Sequence, residues 1–272
     1  METRYAVSPA EYARMDSAEL RRNFLLENLF APEEIRLCYA HYDRIIVGGA
    51  VPSGGTLSLE GAGELAAEFF LERREMGVIN IGGPGSVIAD CADYAMEKHD
   101  CLYLGRGTRE VAFASDDAQN PACFYLNSVP AHKAYPTVHI PKSGAVQAAL
   151  GSKGSCNERV IYKYILPGNV ESCQLVMGLT VLAPGSVWNT MPCHTHERRI
   201  EAYLYFDVPP GQQVFHLMGC AGKTRHIVTG NRQAVLSPPW SIHSGVGTQN
   251  YSFIWGMCGE NQAFDDMQDF RF

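Results

Sequence analysis

Cys193-His194-Thr195-His196-Glu197-Arg198-Arg199-Ile200-Glu201 is the stretch on which the fold turns, together with Trp240-Ser241-Ile242-His243 further along. The two segments supply three imidazoles and a carboxylate, the donor set of a first-row transition metal. His194 and His196 are two apart, so on a β-strand both side chains point to the same face. Glu201 lies five residues beyond His196, which is the wrong parity for an unbroken strand. A turn or bulge through Arg198-Arg199 must reset the register before the carboxylate joins the imidazoles. The chain between Glu201 and His243 has room for two or three more strands that bring it back. A small antiparallel barrel with a metal site in its mouth meets all of these constraints.

Composition agrees with a mainly β protein. The chain has 272 residues and is 46% hydrophobic, with 26 Gly and 15 Pro scattered among short apolar runs. Turn residues recur too often for long helices, and the length allows one large or two modest domains. A net charge of −7 with no basic block argues against nucleic acid as the main partner. No apolar run approaches the roughly 18 residues of a membrane span. The N-terminal stretch is charged throughout and does not read as a secretory signal, so a cytoplasmic protein is expected. The nine cysteines include no C-x-x-C pair and read as reduced thiols. Cys193, beside His194, faces away from its neighbours' side of a strand and reads as packing.

Residues 8–29 carry the best helical signal, with Asp16-Ser17 capping a short helix. Leu20 and Phe24, then Leu25 and Leu29, pair there at a helical spacing of four. Short strands are expected over 44–47, 77–81, 86–89, 101–104 and 110–114. Residues 128–158 hold three prolines and little periodicity, and read as a linker. A second strand series is expected over 159–166, 174–182, 186–190, 202–206, 214–217, 225–228, 234–236 and 252–257. The two series are alike in texture. They predict two barrels of one type, residues 1–140 without metal ligands and residues 141–272 carrying the site, behind a short N-terminal helix.

Other residues have two readings each. Glu201, Tyr203 and Tyr205 alternate onto one face, where the tyrosine hydroxyls either donate and carry protons or simply pack. Glu197-Arg198-Arg199 is a solvated turn, or else one arginine reaches a substrate carboxylate through its planar fork. Trp188 and Trp240 wall a pocket or belong to the core. His216 and His226 fall in strands between the two motifs and either border the cavity or pack. His99 sits where the first half would carry its late ligand, but that half has no H-x-H, so its barrel is expected to be metal-free. Glu72-Arg73-Arg74-Glu75 reads as a solvated turn, with an interdomain or subunit contact, or a reach into a neighbouring active site, as the alternatives.

The H-x-H-x4-E string, followed by a histidine between Pro239 and Gly245, is similar to the two-motif pattern of the cupin barrel. Longer strings narrow the resemblance. They include His41-Tyr-Asp-Arg-Ile-Ile-Val-Gly-Gly49, Phe70-Leu-Glu-Arg-Arg-Glu75, Gly77-Val-Ile-Asn-Ile-Gly-Gly83 and Trp188-Asn-Thr-Met-Pro-Cys-His-Thr-His-Glu-Arg-Arg199. Ser241-Ile-His-Ser-Gly-Val-Gly247, Phe253-Ile-Trp-Gly-Met257, Gly259-Glu-Asn-Gln262 and Phe264-Asp-Asp-Met267 continue it. With these strings the chain resembles the 5-keto-4-deoxyuronate isomerase (4-deoxy-L-threo-5-hexosulose-uronate ketol-isomerase) family nearly end to end.

The resemblance implies a bicupin, two jelly-roll barrels, with one Zn2+ per subunit held by His194, His196, Glu201 and His243. It also implies a homo-oligomer, a hexamer, acting in the cytoplasm on a small keto-uronate. The implied reaction converts 5-dehydro-4-deoxy-D-glucuronate to 3-deoxy-D-glycero-2,5-hexodiulosonate in pectin breakdown. Moving a carbonyl one carbon along requires a proton carrier, unless a hydride shift replaces it. Tyr203, Tyr205, Glu197 and His226 are the candidates for that carrier. Arg198, Arg199, Lys163 and Arg225 are the candidates for binding the substrate carboxylate. Rival readings are an isomerase for another deoxy-uronate such as 5-deoxyglucuronate, a cupin dioxygenase, a sugar-binding regulatory cupin and a purely structural zinc.

Overall fold

Strand-forming segments here show the period-2 burial of a sheet with one face on a core. Gly85–Ala89 alternates buried and half-buried residues from end to end, and Val111–Ser115 begins the same way. The structure is a computed structural model that describes residues 1–61 and 63–270. Its strands form four sheets, two of them seven-stranded, one four-stranded and one five-stranded. Val78, Val87, Phe113, Phe124 and Leu126 form one buried cluster between the first seven-stranded sheet and the four-stranded one.

The two large sheets share a strand order. In the first, the hairpin Ile35–Ala40 and Ile46–Ala50 is followed across the sheet by Phe124–Pro130, Arg74–Asn80 and Cys101–Leu104. In the second, Arg159–Ile165 and Val176–Leu182 are followed by Ser252–Gly259, Arg199–Phe206 and Gln233–Ser237. In both, the last strand of the set returns to lie third. The two large sheets meet back to back at glycines. A Cβ on Gly77 would lie 2.6 Å from the Met177 sulfur, and one on Gly256 would lie 1.9 Å from Asn127 Oδ1. Only a residue without a side chain allows that approach.

Asp16 caps the helix Ser17–Phe24 and forms a reciprocal capping box with Glu19. A shorter helix, Pro9–Tyr12, precedes it. The helix stops well before residue 29. Leu25–Leu26 instead pairs with Val235 and Ala234, adding a strand to the edge of the second large sheet. The segment 128–158 is not a structureless linker either. Phe124–Pro130 is a central strand, Val138–Ile140 pairs with Cys101–Leu104, and Val146–Leu150 pairs with Arg159–Ile165. Proline falls at strand ends in this segment, where no ladder hydrogen bond is lost.

Only the first half of the charge run Glu72-Arg73-Arg74-Glu75 is a solvated turn, with Glu72 half-buried and Arg73 exposed. Arg74 and Glu75 are buried in the strand Arg74–Asn80. Arg74 donates to the Arg44 carbonyl at 2.6 Å and the Ser128 carbonyl at 2.7 Å. Glu75 accepts from the Tyr103 hydroxyl at 2.7 Å and from the backbone N–H groups of Cys173, Gln174 and Leu175 at 2.7 to 3.0 Å. One carboxylate thus satisfies a row of donors from the second half of the chain. Removing it strands those donors in a dry interface, which costs far more than the bonds contribute net. Glu75→Ala should lower the unfolding free energy by about 3–5 kcal/mol, read from urea unfolding; a wild-type midpoint would contradict this account.

Candidate metal centre

His194 stands on the strand Trp188–Thr195 of the five-stranded sheet, directly opposite His243 of Ile242–Gly247. Cross-strand partners point to the same face, so the ladder itself aligns the two imidazoles. The chain then turns at Glu197-Arg198 and enters Arg199–Phe206, a strand of the large sheet. The register reset expected through Arg198-Arg199 is therefore a change of sheet. It delivers Glu201 from the facing wall.

The four donor atoms converge. His194 Nε2 lies 3.1 Å from His196 Nε2 and 3.1 Å from His243 Nε2. Glu201 Oε2 lies 3.0 Å from His243 Nε2 and 3.4 Å from His196 Nε2. Donors about 2.0–2.2 Å from a common centre have edges of about 3.0–3.4 Å, so this spacing suits a first-row ion. The three histidines form a possible metal site, and the buried Glu201 Oε2 beside them accepts no hydrogen bond. An orphaned carboxylate oxygen is costly unless a cation meets it.

Burial pushes His243 down to about 3 and also lowers His194. Burial alone would raise Glu201, but its imidazole neighbours, His243 foremost, hold it at about 2. At neutral pH the set thus offers unprotonated His194 and His243 and an ionised carboxylate, the forms that bind metal. His196 Nδ1 faces the Asp266 carbonyl, which turns its Nε2 toward the other donors.

His194, His196 and Glu201 of this cluster border a cavity of about 180 Å³. Its lining includes Thr180, Thr190, Tyr203 and Arg159 among apolar side chains such as Ile161, Phe253, Trp255, Met257 and Phe264. Of the four expected proton carriers, only Tyr203 lines it. Tyr205 points past it, with its hydroxyl 2.7 Å from His216 Nδ1 in a buried pair. Glu197 is exposed and its N–H donates to Gln268. His226 is exposed, its ring tilted against that of Phe215.

None of the four expected carboxylate binders is among the residues that line the cavity. Arg198 pairs with Glu260 on the surface. Arg199 is buried and donates to the Asn261 and Ala263 carbonyls at 3.1 and 2.8 Å. Lys163 lies 3.8 Å above the Phe264 ring. Arg225 donates to the Ala13 and Met15 carbonyls near the N-terminus. Trp240 packs against Tyr12 and donates to the Val7 carbonyl, while Trp255 is the indole that walls the cavity. Arg159, Trp255 and Asp266 were not singled out in the sequence. For Arg159 a signal exists, because it alternates with Ile161 onto the cavity face of its strand.

The pKa directions fix how the metal-free protein responds to acid. His194 and His243 sit below the ordinary value of about 6.5, so the unfolded chain takes up their protons first. Glu201 acts in the same sense at lower pH. Their stabilising contribution is complete above about pH 6.5 and drains away toward about 3. Melting temperature measured on metal-free protein should be flat above neutrality and fall steadily below it. A flat profile from pH 7 to pH 4 would contradict the burial of neutral imidazoles.

Residues 28–271 match the model of the KduI/IolB family. A 4-deoxy-L-threo-5-hexosulose-uronate ketol-isomerase of Lachnoclostridium phytofermentans is 58% identical over 98% of this chain and 97% of its own length. The enzyme of the same name from Caldicellulosiruptor bescii is 53% identical over 98% and 97%. Among solved structures, an IolB-like protein from Salmonella typhimurium LT2 superposes with a TM-score of 0.74 at 14% identity, covering 91% of this chain and 97% of its own. An oxalate decarboxylase of Lactobacillus farciminis gives 0.60 at 9% identity, over 88% and 87%. On the extent of these matches, the chain belongs to the KduI/IolB family.

Proposed function

We propose that this chain is a metal-dependent aldose-ketose isomerase that converts 5-dehydro-4-deoxy-D-glucuronate to 3-deoxy-D-glycero-2,5-hexodiulosonate in pectin degradation. The observation that carries this reading is the identity of 53–58%, over nearly the whole chain, to enzymes named as this ketol-isomerase. The geometry of the site supports it. His194, His196, Glu201 and His243 are read as the ligands of one Zn2+ per subunit, since three nitrogens and one carboxylate suit that ion. A divalent ion held there supplies Lewis acidity to the substrate oxygens on which negative charge develops.

The remaining work falls to the chain's own groups. Burial raises Tyr203 well above the ordinary tyrosine range, with Glu201 adding to it. Its hydroxyl therefore stays protonated at neutral pH and serves as a donor toward the substrate oxygens, not as a base. Thr190 Oγ1, 3.4 Å from that hydroxyl, steadies it. Phe253, Trp255, Met257 and Phe264 keep water from the reacting carbons. A cavity of about 180 Å³ suits a small acyclic sugar acid, being smaller than the ~300–1,000 Å³ of drug-sized sites.

The fold is read as a bicupin, with barrels over residues 1–140 and 141–272. The shared strand order supports two copies of one plan. In the first copy, Leu57–Ser58 and Val111–Ser115 stand where Trp188–Thr195 and Ile242–Gly247 stand in the second. Neither carries a histidine, which supports a metal-free first barrel. Among the described residues no helix is long and apolar enough to cross a membrane. A cytoplasmic homo-oligomer, a hexamer, completes the reading.

The test supplies freshly made keto-uronate to protein stripped of metal and then reloaded with zinc, and follows the aldehyde-to-ketone change by NMR. Turnover by the zinc form and none by the stripped form is the expected result. An untouched substrate in every metal form would overturn the substrate assignment.

A further inference from the structure

We infer that Arg159 binds the carboxylate of the substrate, an assignment that rests on the acid-sugar isomerase reading above. A uronate brings a permanent negative charge into a cavity whose walls are otherwise mostly apolar, and burying it there requires a cation. Arg159 is the one cationic side chain among the described residues that line the cavity. It stands at the start of the strand Arg159–Ile165, three strands across the same sheet from the strand of Glu201. Glu201 and the guanidinium thus come from one wall of the space, and His194 and His243 come from the five-stranded sheet that faces it. An open-chain substrate carries its carbonyl and its carboxylate at opposite ends, so one molecule in this cavity offers a group to each.

The guanidinium is free to act. Its Nη1 donates to the Asn157 carbonyl at 2.8 Å, which steadies the side chain. Among the described residues no carboxylate lies within ion-pair distance of it, and its other donors remain uncommitted. A planar fork with two spare N–H groups is the shape that grips a carboxylate in a bidentate manner. The group is half-buried, and that desolvation lowers its pKa without discharging it. Less water around the guanidinium strengthens its hold on an anion. Arg198, Arg199 and Arg225 are each committed to other partners, and Lys163 stands over the ring of Phe264 without itself lining the cavity.

The consequence is selectivity for acid sugars over their neutral counterparts, set by a residue outside the proposed ligand set. The test uses the zinc-loaded full chain and its R159K and R159Q variants. Calorimetry compares methyl α-D-galactopyranosiduronate, whose locked ring cannot isomerise, with neutral methyl α-D-galactopyranoside. The wild type should prefer the acid. R159Q should lose that preference and raise KM for the keto-uronate by about tenfold or more, with zinc content unchanged and kcat less affected. R159K should keep part of the preference, because a point charge replaces the fork. An undiminished acid preference in zinc-loaded R159Q would overturn the assignment. Loss of the preference in R159Q, in a protein whose wild type never turns over the keto-uronate, would support the carboxylate site and sink the isomerase reading instead.

Discussion

The meeting of His243 and Glu201, 3.0 Å apart, is the contact on which the second half of the molecule is organised. One residue belongs to the small sheet and the other to the large sheet facing it. They meet only if both sheets, the turn at Glu197-Arg198 and the pairing of His194 with His243 are all in place. The start of the Glu201 strand is pinned from outside. The Ile200 N–H donates to Asp43 Oδ2 of the first half at 2.8 Å, and Arg199 ties the strand to the chain beyond Gly259. The first half therefore contributes to the site by holding its position, without supplying a ligand atom to it.

Burial makes this cluster expensive in the metal-free state. Glu201 is almost fully buried with one oxygen accepting no hydrogen bond, and the same burial drives His194 and His243 toward neutrality. Proteins seldom keep an ionised carboxylate inside unless a cation meets it. The ion we propose would resolve that frustration. It would also account for four donor atoms gathered against one another inside a well-packed wall of Tyr203, Phe253 and Trp255. The arrangement is strained as pure structure and reasonable as a loaded site.

Much of the site was legible in the sequence because it rests on local rules. The parity of His194 and His196, and the parity fault before Glu201, follow from the two-residue repeat of a strand. The Asp16 cap is likewise local. What sequence could not show depends on partners far along the chain. Glu75 looks solvated until three backbone N–H groups from residues 173–175 arrive around it. Leu25 looks helical until the edge near Val235 offers it a ladder. Tyr203 and Tyr205 share a face, but depth divides them: one hydroxyl reaches the cavity and the other closes on His216. The partners of the clamp candidates were hidden for the same reason, since each long cation meets a carbonyl, carboxylate or ring from far along the chain.

The central claim is that these four side chains hold one metal ion. The most direct measurement is anomalous scattering from crystals of zinc-loaded protein, recorded on both sides of the zinc absorption edge. The account predicts one peak per chain, about 2.0–2.2 Å from the Nε2 atoms of His194, His196 and His243 and from a carboxylate oxygen of Glu201. A loaded crystal with its peak elsewhere, or with none, would contradict it.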